Sequence, residues 1–199
     1  MKLEKSTVRL LDRDRPAVRD HFVSLGPEDR RLRFGSNISD VGITGYVARL
    51  DFEHDGLFAV QDEDLSIVAV VHVATTGGSA ELGLSVLPGR RGEGLGNALL
   101  KRAVTFLRNR GVTEVFVHCL SENGAMMHLA RRNGMRIVYS GAESDARLQL
   151  DEPTANSFVE EWLEDQRAHA VQSLRRNNRA AMALYAWSQS PFKYSPSGK

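Results

Sequence analysis

Arg91-Gly92-Glu93-Gly94-Leu95-Gly96 follows a strand-like run and opens an amphipathic helix, with more glycines than such a junction needs. Gly94 and Gly96 fall where a helix from Asn97 to Arg110 should begin. A glycine in place of alanine inside a helix costs about 1 kcal/mol, whereas a plain strand-to-helix turn needs one residue with positive φ. The surplus points to close backbone approach to an anion, because amides at a helix N-terminus are unpaired and the helix dipole favours negative charge there. The spacing is neither the G-x-G-x-x-G of a dinucleotide-binding turn nor a phosphate loop ending in G-K-[ST].

The flanks extend the pattern in both directions. Upstream, Ala80 to Val86 alternates with period two, which puts Leu82, Leu84 and Val86 on one face and Glu81, Gly83 and Ser85 on the other. A glycine inside a strand marks a bulge or a close approach, so Glu81 shares a face with such a place. Downstream, Leu95, Leu99, Ala103, Phe106 and Leu107 form a buried stripe and Gly111 stops the helix. Val112 to Leu120 is then a strand, Asn123 caps a short helix to about Arg132 with Gly134 as terminator, and Arg136 to Ser140 pairs with Ala146 to Leu150.

Before the loop, Thr7 to Leu11 reads as a strand, and Arg15 to Leu25 as a helix ended by Gly26-Pro27. Helical stretches at Glu28 to Arg33 and Ile43 to Leu50 follow, then strands at Gly56 to Gln61 and Leu65 to Thr75. The second of these is apolar on both faces, as for a central strand covered by helices, and His72 within it reads as structural. The order predicts an α/β domain with a mixed, twisted central sheet flanked by helices over residues 1–152. Residues 153–187 read as a helical extension carrying Phe158, Trp162, Leu163 and Leu174, about 45 Å long at ~1.5 Å per residue, and 188–199 as a flexible tail. That stripe is expected to be buried, across the domain or in a homodimer through the C-terminal helix.

With 199 residues, 26 Lys plus Arg against 25 Asp plus Glu, and a formal charge of +1, the chain has no polybasic surface for nucleic acid. One cysteine, Cys119, excludes an internal disulfide, and neither a signal peptide nor a membrane-spanning run is visible. A cytoplasmic protein is expected, and no metal site is read from the residues.

Arg91, Gly94 and Gly96 stand as in R/Q-x-x-G-x-G/A, and the chain resembles the GNAT superfamily of N-acetyltransferases from about Thr7 to Leu150. Asn123, Leu129 and Gly134 match a second element, N-x-x-A-x-x-L-Y-x-x-x-G-F, in which Met126 and Met135 replace the usual alanine and aromatic, and Ala130 the tyrosine. The resemblance implies a GNAT-like fold and acetyl-CoA as cosubstrate. The main chain of Gly92, Glu93, Gly94, Leu95 and Gly96, flanked by Arg91 and Asn97, would hold its pyrophosphate. Asn123, with Met126 beside it, would reach the pantetheine arm. In many relatives the tyrosine protonates the departing thiolate, and here that role has no obvious occupant. Ala130 and Arg31-Leu32-Arg33-Phe34 look more like the bacterial protein-lysine acetyltransferase branch.

The chemistry can be argued from the residues as well. A primary amine with pKa near 10.4 is almost wholly protonated at neutral pH, so a base must free its lone pair. Glu81 is the candidate, with partial burial expected to raise its pKa, and amides around Leu84, Ser85 and Val86 would bind the thioester carbonyl. The expected partners are acetyl-CoA and an amine acceptor, either protein lysine or a small-molecule amine. The alternative is a catalytically silent acyl-CoA-binding regulatory protein.

Overall fold

Ile67 to Val71 is apolar on both faces because helices cover both. Val71 and Val73 pack in one core with Leu99, Leu100 and Phe106, while Ile67 and Val70 pack in a second with Val18, Phe22 and Ile43. The computed structural model describes residues 6–189. Along the chain these form β1 (Thr7–Arg9), α1 (Arg15–Val23), α2 (Pro27–Phe34), α3 (Asp40–Ala48), β2 (Gly56–Gln61), β3 (Ile67–Thr76) and β4 (Ser79–Val86). There follow α4 (Leu95–Arg108), β5 (Glu114–Leu120), α5 (Gly124–Arg132), β6 (Arg136–Ser140), β7 (Glu143–Gln149) and α6 (Ala155–Gln189).

The sheet order is β1-β2-β3-β4-β5-β7-β6, antiparallel except where β4 meets β5. The mixed α/β architecture expected from the sequence is present. β7 begins at Glu143 rather than Ala146, because polar cross-strand pairs carry its start: Asp145 accepts from His118 Nδ1 at 2.8 Å, and the Ser144 and Ser121 hydroxyls lie 2.7 Å apart. No bulge interrupts β4 at Gly83, since its register with β3 runs unbroken from Ser79 to Val86. The glycine marks a close approach instead: a Cβ there would overlap the Arg33 guanidinium.

The C-terminal helix departs most from expectation. It runs without a break through Asn177-Asn178, and only from residue 190 onward does the expected tail lie outside the described residues. Its apolar stripe is not buried in the single chain, with Phe158, Trp162, Leu163 and Leu174 all exposed. Polar contacts hold the helix. Arg102 of α4, 1% exposed, lies against Asp165 at 2.5 Å, Glu164 at 3.6 Å and Glu161 at 3.8 Å, and its guanidinium stacks over Phe58. Asn109 bonds the Ser157 carbonyl, while Gln172 and Arg175 reach Gln61. The acids Glu161, Glu164 and Asp165 serve as a socket for a buried arginine. No helix among the described residues is long and apolar enough to cross a membrane.

Candidate active site

β4 and β5 pair in parallel only over Ser79–Glu81 and Glu114–Phe116, and beyond that register no pairing joins them. A cleft of about 390 Å³ opens there, floored by Leu84, Ser85 and Val86 of β4 and walled by the loop before α4 and by α5. Gly92 and Gly94 have φ of 78° and 76°, so the loop needs two left-handed residues rather than one. Gly96 needs no positive φ, and protein atoms leave room for a side chain there. A Cβ there would touch Leu84 and Leu129 at 3.5 Å and narrow the cleft between β4 and α5.

The first α4 amide to find a carbonyl is that of Ala98, which donates to Gly94 at 3.2 Å. The amides of Gly92, Gly94, Leu95, Gly96 and Asn97 donate to no backbone carbonyl among the described residues, and all five residues line the cleft. Such a row of amides at a helix N-terminus suits an anion. Arg91 lines it too, paired with Asp29 at 2.6 Å and donating to the Val86 carbonyl at 3.3 Å. Glu93 turns away and bridges Arg90 at 2.9 Å, so of the expected loop residues it alone lies off the lining.

Asn123 and Met126 line the opposite wall. Asn123 Oδ1 accepts from the Met126 amide at 3.0 Å, which caps α5, and its Nδ2 donates to the Leu32 carbonyl at 3.4 Å. Its polar atoms thus join α5 to α2, and Arg31 ties the same two regions through Glu122 at 2.5 Å. With Arg91 and Asp29 on the other side, α2 straps the splayed strands together across the cleft. Ala130 is fully buried in the core, and the cleft-facing residues of α5 include His128, Leu129 and Arg132. Cys119 is buried, and burial raises its thiol pKa, as befits packing.

Glu81 lies on β4 beyond the cleft lining and is exposed, so the partial burial expected to tune it is absent. On the same face two histidines are organised by hydrogen bonds. His21 is buried, with Nδ1 3.0 Å from the Ile67 carbonyl and Nε2 2.8 Å from Ser85 Oγ. A carbonyl can only accept, so Nδ1 carries the proton and Nε2 accepts from Ser85. His72 stands across the ladder from Gly83, with Nε2 2.8 Å from Asp55 and Nδ1 3.0 Å from the Tyr46 hydroxyl. Tyr46 in turn accepts from Arg33 at 3.1 Å, and Arg33 lines the cleft. Sequence reasoning treated His72 as structural and left Tyr46 aside. The signals were Gly83 opposite His72 and the acid Asp55 just before β2.

Residues 26–135 match the acetyltransferase (GNAT) family, and the chain belongs to it. The chemistry of that family in general is acyl-CoA-dependent N-acetylation. The chain is 31% identical over 73 residues to the streptothricin acetyltransferase of Streptomyces lavendulae, a match covering 34% of this chain and 39% of that protein. It thus spans about two-fifths of the length of that curated relative. Among solved structures, the GNAT domain of S. lividans PAT superposes with a TM-score of 0.64 at 18% identity, covering 72% of this chain and 89% of that one. A phosphinothricin acetyltransferase from Sinorhizobium meliloti, solved in complex with AcCoA, gives 0.59 at 13% identity, covering 75% and 92%. At these identities the likeness speaks for the fold.

Proposed function

We propose that this protein is a cytoplasmic, acetyl-CoA-dependent N-acetyltransferase that acetylates a primary amine by direct attack, with Glu81 as the general base. The observation that carries the reading is that the amides of Gly92, Gly94, Leu95, Gly96 and Asn97, which donate to no backbone carbonyl among the described residues, lie at the mouth of a cleft between β4 and β5. It suits a pyrophosphate, while the narrow apolar floor of Leu84 and Val86 suits a pantetheine arm running towards the Glu81 end of β4. The amides of Leu84 and Val86, which face away from β3, then polarise the thioester carbonyl. The streptothricin and phosphinothricin acetyltransferases support an amine of small-molecule type, and Arg31 to Phe34 support a protein lysine.

Thiol release from acetyl-CoA, measured against a panel of amines and lysine peptides, tests this directly and separates the two acceptor classes. Ala130, with no hydroxyl at the position where relatives carry one, favours the second reading, a silent acyl-CoA-binding regulatory protein. CoA binding with no thiol release across the panel would select it. A homodimer through α6 belongs to the same proposal, resting on exposed Phe158, Trp162 and Leu163. Sedimentation at the mass of a single chain would remove it.

A further inference from the structure

We propose that the Tyr46 hydroxyl, backed by His72 and Asp55, takes the proton that the acceptor nitrogen sheds after it has attacked the thioester. This rests on the acetyl-transfer reading above. A primary ammonium carries three hydrogens and an amide nitrogen one, so two protons must leave. The first departs before attack and is the one assigned to Glu81. The second departs from the positively charged nitrogen of the adduct, and Glu81, already protonated, cannot receive it.

The hydrogen bonds fix which way a proton can move. Asp55 accepts from His72 Nε2, which leaves Nδ1 as an acceptor for the Tyr46 O–H, and Tyr46 Oη accepts in turn from Arg33 Nη2. All three links are 2.8 to 3.1 Å long, and each donor meets an acceptor. His72 and Asp55 are shielded, with side chains 13% and 16% exposed, while Tyr46 is only half-buried. The charged groups acting on His72 are Asp55, Arg33 from α2 and Glu81 from β4, besides the Tyr46 hydroxyl from α3. Burial holds the imidazole pKa below its ordinary value despite Asp55, so the ring is uncharged at neutral pH and its Nδ1 lone pair is free to accept. A phenol so placed passes its own proton to Nδ1 as it gains one from the amine. The resulting imidazolium faces Asp55, and Arg33 steadies the negative charge that develops on Tyr46 Oη during transfer.

The step balances. The amine lone pair forms the C–N bond while the carbonyl π pair moves onto oxygen. The nitrogen then gives its proton to Tyr46 Oη as the Tyr46 proton moves to His72. The oxygen pair restores the carbonyl, and the C–S bond breaks with its electrons on sulfur, which takes a proton from water. The imidazolium returns its proton through Tyr46 to solvent, and Glu81 gives the first proton to solvent before the next turnover. Ammonium plus thioester gives amide, thiol and one released proton.

The test compares Tyr46→Phe and His72→Gln with wild type in the acetyl-CoA thiol-release assay, alongside thermal stabilisation by CoA. Turnover should fall about 10²-fold in each, the scale of a positioned proton acceptor, with stabilisation by CoA retained. Because the proton leaves after attack, raising the pH to about 9, where more of the amine is already neutral, should not restore Tyr46→Phe. In ¹⁵N spectra of wild type, His72 should be neutral with its proton on Nε2. Wild-type turnover in both variants, or an Nδ1–H or charged His72 at neutral pH, overturns the relay and leaves acetyl transfer standing. A wild type that releases no thiol with any amine overturns the acetyl-transfer reading and the relay with it.

Discussion

Arg33 lies over Gly83 so closely that a β-carbon at 83 would overlap its guanidinium, and this approach links α2 to the strand that floors the cleft. The same guanidinium stacks near Phe22, Phe34 and Tyr46. Gly83→Ala should displace the flexible Arg33 rather than the backbone. It should cost about 1 kcal/mol, the scale of a single cation–π interaction, because the rest of the helix packing survives. Arg33 would leave Tyr46, and turnover should fall about tenfold while thermal stabilisation by CoA persists. Unchanged kcat in this variant would show that the seat of Arg33 over Gly83 does not bear on chemistry.

Glu81→Gln keeps the shape of the side chain and removes its ability to accept a proton. If it is the base, turnover at neutral pH should fall by about 10²- to 10⁴-fold with little change in affinity for acetyl-CoA. Part of the loss should return at higher pH, since an amine of pKa near 10.4 then arrives already neutral. The pH profiles of wild type and variant at saturating acceptor decide it. Parallel profiles would make Glu81 an ordinary exposed strand residue.

Gly94→Val places a β-branched residue at φ of 76°, which strains the N-cap of α4 and covers the amides behind it. The variant should lose thermal stabilisation by CoA. Its apo melting temperature should drop only modestly, because Gly94 is at the junction and outside the core. Stabilisation by CoA equal to wild type would remove the loop from the cosubstrate site.

The sequence was most informative where one residue type has one physical use. Glycines at positive φ, a doubly apolar strand and the alternation of Ala80 to Val86 located the loop, the central strand and the cleft floor. It was least informative where polar residues work in pairs across distant segments. Arg102 looks like one more charge on an amphipathic helix until Glu161, Glu164 and Asp165 arrive from some sixty residues away. Tyr46, Asp55 and His72 carry no spacing signal, because α3, the segment before β2, and β3 meet only in the folded sheet. The exposed stripe of α6 departs from expectation for the same reason: periodicity reports an apolar face, and the acids beside it decide which face docks.

Arg102→Met tests that docking. It removes the buried cation and leaves Glu164, whose pKa is already raised by burial, without the charge that offsets it. Loss of one partner of a fully buried pair costs about 3–5 kcal/mol, and because Glu164 and Asp165 keep partial exposure, about 1–3 kcal/mol is expected here. Adding Glu164→Gln should recover part of it, which a double-mutant cycle in urea measures. Equal stability of wild type and Arg102→Met would mean that α6 is held by its other contacts, among them those to Asn109, Arg110 and Gln61 and the packing of Ala168.

His21 makes the fold sensitive to acid from inside the N-terminal core. Burial pushes its pKa from 6.5 down to about 4, against the opposing pull of the Ile67 carbonyl, so the ring is neutral in the folded chain. Between those two values the unfolded chain binds more protons than the folded one, and stability therefore falls as pH falls. The contribution is fully present above about 6.5, declines through the interval and is exhausted below about 4, a total on the order of 3 kcal/mol. Protonation would also turn Nε2 into a donor and reverse its bond with Ser85, which lines the cleft, so stabilisation by CoA should weaken over the same interval. His21→Gln can still donate to the Ile67 carbonyl but cannot titrate. Urea unfolding across the pH range should show a steeper loss in wild type than in His21→Gln. The difference isolates this ring from His72, whose burial acts in the same direction, and from the exposed His54 and His118, whose carboxylate partners raise their pKa and act in the opposite one. Coincident slopes would mean that the imidazole gains its proton without disturbing the core, through relaxation that keeps the Ile67 and Ser85 bonds intact.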